Sequence, residues 1–132
     1  MELEQYAVYF RDEIDYHVDF NPPDDADKFF EWRKHPDLHG WMQNLYNEKN
    51  GYDSTFNGAT ILLTKDDIVK LRDDILYDNL PHTTGPFFGE SDSTDAGGDL
   101  LFCRKALKLI EDGCKICYFS LYLKIEILDY KE

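Results

Sequence analysis

Long apolar runs are missing from this 132-residue chain. The longest uninterrupted one is only a few residues, far short of the ~20 needed to cross a bilayer, so no membrane span is expected. The first residues, Met1-Glu2-Leu3-Glu4, are acidic and lack the basic and apolar regions of a secretory signal. A cytoplasmic location is therefore expected. Cysteine is scarce: Cys103, Cys114 and Cys117 make an odd count, which suits reduced thiols better than a disulfide framework. Basic residues are outnumbered, 14 Lys and Arg against 27 Asp and Glu, for a net charge of −13. A field of that sign repels polyanions over a Debye length of ~8–10 Å, which argues against direct binding of nucleic acid or an anionic membrane. Walker loops, nucleophile elbows, dinucleotide-binding glycine patterns and internal repeats are also absent.

What is present is the material of a packed globule, 42% hydrophobic and 15% aromatic. The length suits a single domain over residues 1–132. Tyr6, Val8 and Phe10 alternate with Ala7, Tyr9 and Arg11 and predict a first strand. Residues 12–27, with Asn21-Pro22-Pro23-Asp24-Asp25, predict an acidic loop or hairpin arm. A short strand through Phe30 and Trp32 ends at His35, and Pro36 suits the first turn of a helix that carries Leu38, Met42, Leu45 and Tyr46 toward Gly51. Ala59, Ile61 and Leu63 predict a buried strand, and Thr64 with Asp66 and Asp67 starts a second helix. Residues 80–98 predict a long functional loop. A third helix from about Asp99 closes at Gly113, a strand follows from Cys114 to Leu123, and 124–132 form a C-terminal extension. The expected class is α/β in the α+β sense: a compact single domain with a mixed sheet of about four or five strands and three main helices.

The spacing of Cys114 and Cys117 is that of a redox or zinc pair, but on a strand positions i and i+3 point to opposite faces. His35 and His39 have the i, i+4 spacing of helical metal ligands, but Pro36 puts His35 at the cap, off the face that carries His39. No metal and no cofactor is expected. Divided by segment, residues 1–31 carry −8, residues 32–50 carry +1 and residues 51–132 carry −6. The segment from Trp32 to Asn50, with Arg33, Lys34, His35 and His39 close together, stands out as a basic island. Its cations precede a helix N-terminus, whose free amides also attract anions. Leu80 to Gly89 adds hydroxyls at Thr83 and Thr84 and rings at Phe87 and Phe88. If the two stretches meet, they make one positive hollow for a small phosphorylated aromatic compound. The same residues also suit a structural role, with Trp32, Trp41, Phe87 and Phe88 in the core and Arg33 and Lys34 paired to acids.

The run Phe30-Glu31-Trp32-Arg33-Lys34-His35-Pro36-Asp37-Leu38-His39-Gly40-Trp41-Met42, followed by Leu80-Pro81-His82-Thr83-Thr84-Gly85-Pro86-Phe87-Phe88-Gly89, a helix and a Tyr118-Phe119-Ser120 strand, resembles a group of small tailed-phage α/β proteins. Kinase activity is sometimes named for that group, but this chain has no nucleoside-triphosphate loop to support it. The resemblance covers roughly residues 28–122 and leaves out the acidic segment before Lys28 and the tail after Leu123. It implies a phage anti-defence protein of the host cytoplasm that sequesters, without cleaving it, a nucleotide immune signal such as a cyclic ADP-ribose variant, an ADP-ribose conjugate or a cyclic dinucleotide. Arg33, Lys34 and His39 would then hold phosphate, with His35 beside them. Trp32, Trp41, Phe87, Phe88 and Tyr118 would stack or form the wall, and Thr83, Thr84 and Ser120 would bond ribose. A homo-oligomer is also implied, with the C-terminal strand as the edge through which subunits associate.

Two rivals compete with that reading. One is an acidic inhibitor that mimics nucleic acid or caps a basic host surface, motivated by the −8 over residues 1–31. The other is a hydrolase of the same signals, with His35, His39 or His82 as acid and base.

Overall fold

Alternation about Tyr6, Val8 and Phe10 produces β1 (Glu4–Phe10), which buries side chains on both of its faces. The computed structural model describes residues 3–33, 35–53, 55–83 and 95–121. After β1 come β2 (Asp27–Arg33), α1 (Pro36–Glu48), β3 (Thr60–Leu63), α2 (Lys65–Leu76), α3 (Asp95–Glu111) and β4 (Lys115–Leu121). The four strands form one sheet in the order β2-β1-β4-β3, and the chain is a single α+β domain. Every pairing is antiparallel, where a mixed sheet was expected. For β3 and β4 chain geometry explains this: two helices in series between them bring the chain back to the end it left, so the neighbouring strand must run the opposite way.

β4 lies inside the sheet, bonded to β1 on one side and β3 on the other. The expectation that this strand offers an edge for association is therefore corrected; among the described residues the edges are β2 and β3. Part of β3 is itself covered, since Val18 bridges Ile61, the Asp19 N–H donates to the Thr60 carbonyl at 3.0 Å and the Leu62 N–H to the His17 carbonyl at 2.7 Å.

The main core fills the helix side of the sheet, where Ala7, Ile61, Leu63, Ile116 and Tyr118 meet Leu38, Met42, Ile68, Leu71, Phe102 and Ala106. A smaller cluster of Val8, Phe10, Leu62 and Cys117 lies on the far side, under Ile14, Phe20 and Ala26 of the segment between β1 and β2. Between Ala7 and Val8 the register slips, so that Ala7 faces Phe30 and Val8 faces Lys28. Phe29 is the extra residue of a bulge. As a result Phe29 and Phe30, adjacent in sequence, both pack on Phe102, at ring centroid distances of 5.7 and 5.6 Å.

Pro36 occupies the first turn of α1 as expected. Thr64 caps α2 reciprocally: the Asp67 N–H donates to Thr64 Oγ1 at 3.2 Å and the Thr64 N–H to Asp67 Oδ2 at 2.9 Å. α3 begins at Asp95, four residues before the expected start. Gly97 and Gly98 hide that start, since each is disfavoured in a helix by ~1 kcal/mol relative to Ala. The inward stripe Asp99, Phe102, Cys103 and Ala106 holds the helix in place regardless. Gly113, at φ +93, closes it. Among the described residues no helix is long and apolar enough to cross a membrane.

Candidate functional site

A carboxylate facing inward from a helix needs donors, and Asp99 on α3 finds two. Trp32 Nε1 donates to Asp99 Oδ1 at 3.0 Å, and His35 Nε2 lies 2.6 Å from Asp99 Oδ2. Gln5, on the inward face of β1, then ties His35 to β4. Its amide oxygen accepts the His35 N–H at 2.9 Å, and its nitrogen donates to the His35 carbonyl at 3.1 Å and to the Tyr118 hydroxyl at 3.0 Å. The Tyr118 hydroxyl in turn meets His39 Nδ1 at 3.0 Å. The result is a polar chain, Trp32–Asp99–His35–Gln5–Tyr118–His39, that crosses the core and joins all three layers of contact: β2 to α3, α1 to β1, and β4 back to α1. Burial pushes the His39 pKa down to about 4, so the imidazole is neutral at pH 7. Burial also raises the Tyr118 phenol well above its ordinary value.

Four of the expected ligand residues, Trp32, His35, His39 and Tyr118, are therefore links in this internal chain, and Ser120 is buried on the same strand. A histidine–carboxylate pair can move protons, but the side chains of His35 and Asp99 are only 4% and 2% exposed, which closes the pair to solvent in this conformation. Trp41 is buried too, with its Nε1 donating to Asp74 Oδ2 at 2.8 Å. The side chain of Arg33, together with Lys34, Thr84, Phe87 and Phe88, lies outside the described residues.

The two stretches singled out in the sequence do meet at α1. The Thr83 N–H donates to Asp37 Oδ1 at 2.8 Å, and a Cβ on Gly40 would lie 2.1 Å from Thr83 Oγ1, so only glycine admits the contact. The hollow beside this junction, about 220 Å³ between Trp41 and Pro81, carries Glu48 and Asp74 against Lys70. Lys70 is moreover 3.3 Å from Asp74. The lining of this hollow thus carries two acids and one base, and the positive cavity expected from Arg33, Lys34, Thr84, Phe87 and Phe88 falls on side chains outside the described residues. The thiols of Cys103 and Cys117 are pushed up to about 12 by burial and are poor nucleophiles. Among the described residues no group of three or more His, Cys, Asp or Glu side chains is arranged to hold a metal ion.

Positive charge gathers instead on the outer side of α3. Leu101, Arg104, Lys105, Lys108 and Leu109 follow the i, i+3, i+4, i+7, i+8 pattern and so share one face of the helix. That face and the rings of Tyr9 on β1 and Phe29 on β2 enclose a cavity of about 540 Å³. The two rings meet edge to face, with centroids 5.9 Å apart. Lys105 Nζ sits 5.7 Å from the Phe30 ring centroid, a cation–π contact that fixes one wall. Among the described residues none of the three cations is paired with a carboxylate. The site thus combines an aromatic and aliphatic floor with an unneutralised cationic rim, a combination that suits a planar ring bearing phosphate.

Reading the sequence missed this groove and the two residues that complete the inner chain. Residues 100–110 contain three bases and no acid, a signal hidden when charge is averaged over 51–132. Gln5 lies on the period-2 face with Leu3 and Ala7, and Asp99 lies on the helical stripe with Phe102, Cys103 and Ala106; a polar residue on an apolar face is the available cue for both. No family model matches the chain, and no curated protein or solved structure matches it either.

Proposed function

We propose that this protein binds a small phosphorylated, ring-bearing compound of the nucleotide class and holds it intact in the groove on the outer side of α3. The observation that carries this reading is the convergence of Arg104, Lys105 and Lys108 over Tyr9 and Phe29 in a chain of net charge −13. In so negative a molecule, three cations with no acidic partner among the described residues make a local attractor for anions. Among the described residues the lining offers no carboxylate, histidine or thiol as acid, base or nucleophile, which favours binding over cleavage. Taken with the resemblance to small tailed-phage proteins, the reading extends to an anti-defence role, in which the protein sequesters a nucleotide immune signal in the host cytoplasm.

The test is thermal denaturation in low salt with AMP, ADP-ribose and a cyclic dinucleotide, on the native chain and on an Arg104→Ala, Lys108→Ala double variant. At least one ligand should raise the melting temperature by mass action. The double variant should lose ~1–3 kcal/mol of binding for each charge-assisted contact removed, and the ligand should be recovered intact after heating. A panel without effect, a shift indifferent to the double variant, or a cleaved product overturns the reading.

A second reading, an acidic inhibitor, has one observation in its favour. Asp12, Glu13, Asp15, Asp24 and Asp25 are all exposed on the segment that covers the far side of the sheet. Charge reversal there abolishes activity under this rival and leaves nucleotide binding by α3 unchanged.

A further inference from the structure

The groove over Tyr9 and Phe29 has a neighbour. A second hollow of about 390 Å³ opens between α2 and α3, walled by Leu76, Leu100 and Leu107, with Arg72 on the α2 side and Gly97 on the α3 side. Leu101 and Arg104 line both hollows, so the two lie on either side of one ridge and share one guanidinium. Between Gly97 and Leu109 the pair of hollows extends along about 18 Å of helix at 1.5 Å per residue. Each hollow by itself falls within the ~300–1,000 Å³ range of small-molecule sites. Both have apolar walls beside a cation, and Arg72 of the second lies 3.8 Å from Asp73.

Gly97 adds to the pattern. Among the described residues a Cβ built there meets nothing within 4 Å, so none of them requires glycine at this position or fills that end of the second hollow. Leu76 and Leu101, both of which line this hollow, are 59% and 39% exposed. A mononucleotide would occupy the first hollow and leave the second empty.

Resting on the reading given under Proposed function, we infer that the ligand is two-headed: a dinucleotide-class compound, two nucleosides joined through phosphate, lying across the Leu101–Arg104 ridge. One base rests on Tyr9 and Phe29, the linking phosphate meets Arg104, and the second nucleoside lies among Leu76, Leu100 and Leu107, within reach of Arg72.

Calorimetric titration with AMP and with diadenosine diphosphate, two adenosines joined through a pyrophosphate, tests this on the full chain. The dinucleotide should bind at least tenfold more tightly than AMP. Gly97→Leu fills the second hollow while favouring the helix; it should erase that advantage and leave AMP affinity unchanged. Arg72→Gln, which removes the second cation without altering the walls, should reduce the advantage several-fold. Arg104→Ala should weaken both ligands. If AMP binds and the dinucleotide binds no better, the two-headed ligand is overturned while the nucleotide reading stands. If Gly97→Leu weakens both ligands alike, the second hollow is not a separate lobe and the inference also fails. If neither compound binds, the nucleotide reading itself falls, and the two-headed ligand with it.

Discussion

On its inner side α3 presents Asp99, Phe102, Cys103 and Ala106, and the one charged residue among them is met by Trp32 and His35. On its outer side, one turn further along, Arg104, Lys105 and Lys108 meet no acid among the described residues and face a cavity. The same helix thus carries polar groups in two different conditions. Inside, the Asp99 carboxylate, the Gln5 amide and the Tyr118 hydroxyl are each engaged by another side chain or by backbone, and burial raises the penalty for breaking any link. Outside, the charges are solvated and available. Residue types that suit a ligand site can instead be held inside, as here, where Asp99 meets the polar ring atoms of Trp32 and His35 and Gln5 meets the Tyr118 hydroxyl.

The comparison breaks most visibly at Asp99. Asp99→Ala removes the acceptor from two buried donors at once, and the expected loss is at least about 3 kcal/mol of unfolding free energy, read from urea denaturation. Against a typical domain stability of ~5–15 kcal/mol this approaches loss of the fold. Asp99→Asn keeps one acceptor and should fall between the native chain and the alanine variant. A change below 1 kcal/mol for Asp99→Ala would mean that the inner chain is not a stabilising network, and the contrast between the two sides of α3 would lose its first half.

A smaller effect comes from the other end of the chain, through pH. Burial lowers His39 to about 4, against 6.5 for the unperturbed side chain. Between those values the unfolded state binds the proton and the folded state does not, so stability is full above pH 6.5 and declines as pH falls toward 4. From pH 7 to 4.5 the His39 contribution to this loss is about 2 kcal/mol. His39→Gln, which can still bond the Tyr118 hydroxyl, should flatten the stability–pH curve over that interval by the same amount. An unchanged curve would show that His39 protonates as readily inside the protein as outside, which an imidazole enclosed by Tyr118 and Phe56 should not do.

How much of this was legible from the residues alone depended on how far apart the causes lie in the chain. Local causes were legible: the alternation of β1, Pro36 opening α1, and the Thr64–Asp67 cap are each contained within a few residues. The doubled inward facing of Phe29 and Phe30 was not, because a bulge is defined by the partner strand's register. The antiparallel sheet and the interior position of β4 depend on how α2 and α3 return the chain. The role of the polar residues was harder still, since Gln5 bonds Tyr118 across 113 positions and Trp32 bonds Asp99 across 67. A sequence shows residue types that suit a pocket and residue types that suit a buried network, and these types are the same. The groove on α3 is the opposite case: its three cations sit within five consecutive residues and needed only a narrower window to be seen.

The smallest predicted effect sharpens the second half of the comparison. Arg104→Gln, Lys105→Gln and Lys108→Gln combined should change unfolding free energy by no more than ~0.5 kcal/mol beyond the loss of the single cation–π contact of Lys105, because exposed side chains without ion-pair partners contribute little to folding. Nucleotide binding should nevertheless be lost. Stability and binding would then separate along one helix, with Asp99 governing the first and the cationic face governing the second. A destabilisation of 2 kcal/mol or more in the triple variant would mean that the cations hold α3 against Tyr9, Phe29 and Phe30 as part of the core wall. In that case their gathering in an otherwise acidic chain would be explained by packing, and the groove would need a ligand-dependent shift in melting temperature, observed on the native chain, to keep its place as a binding site.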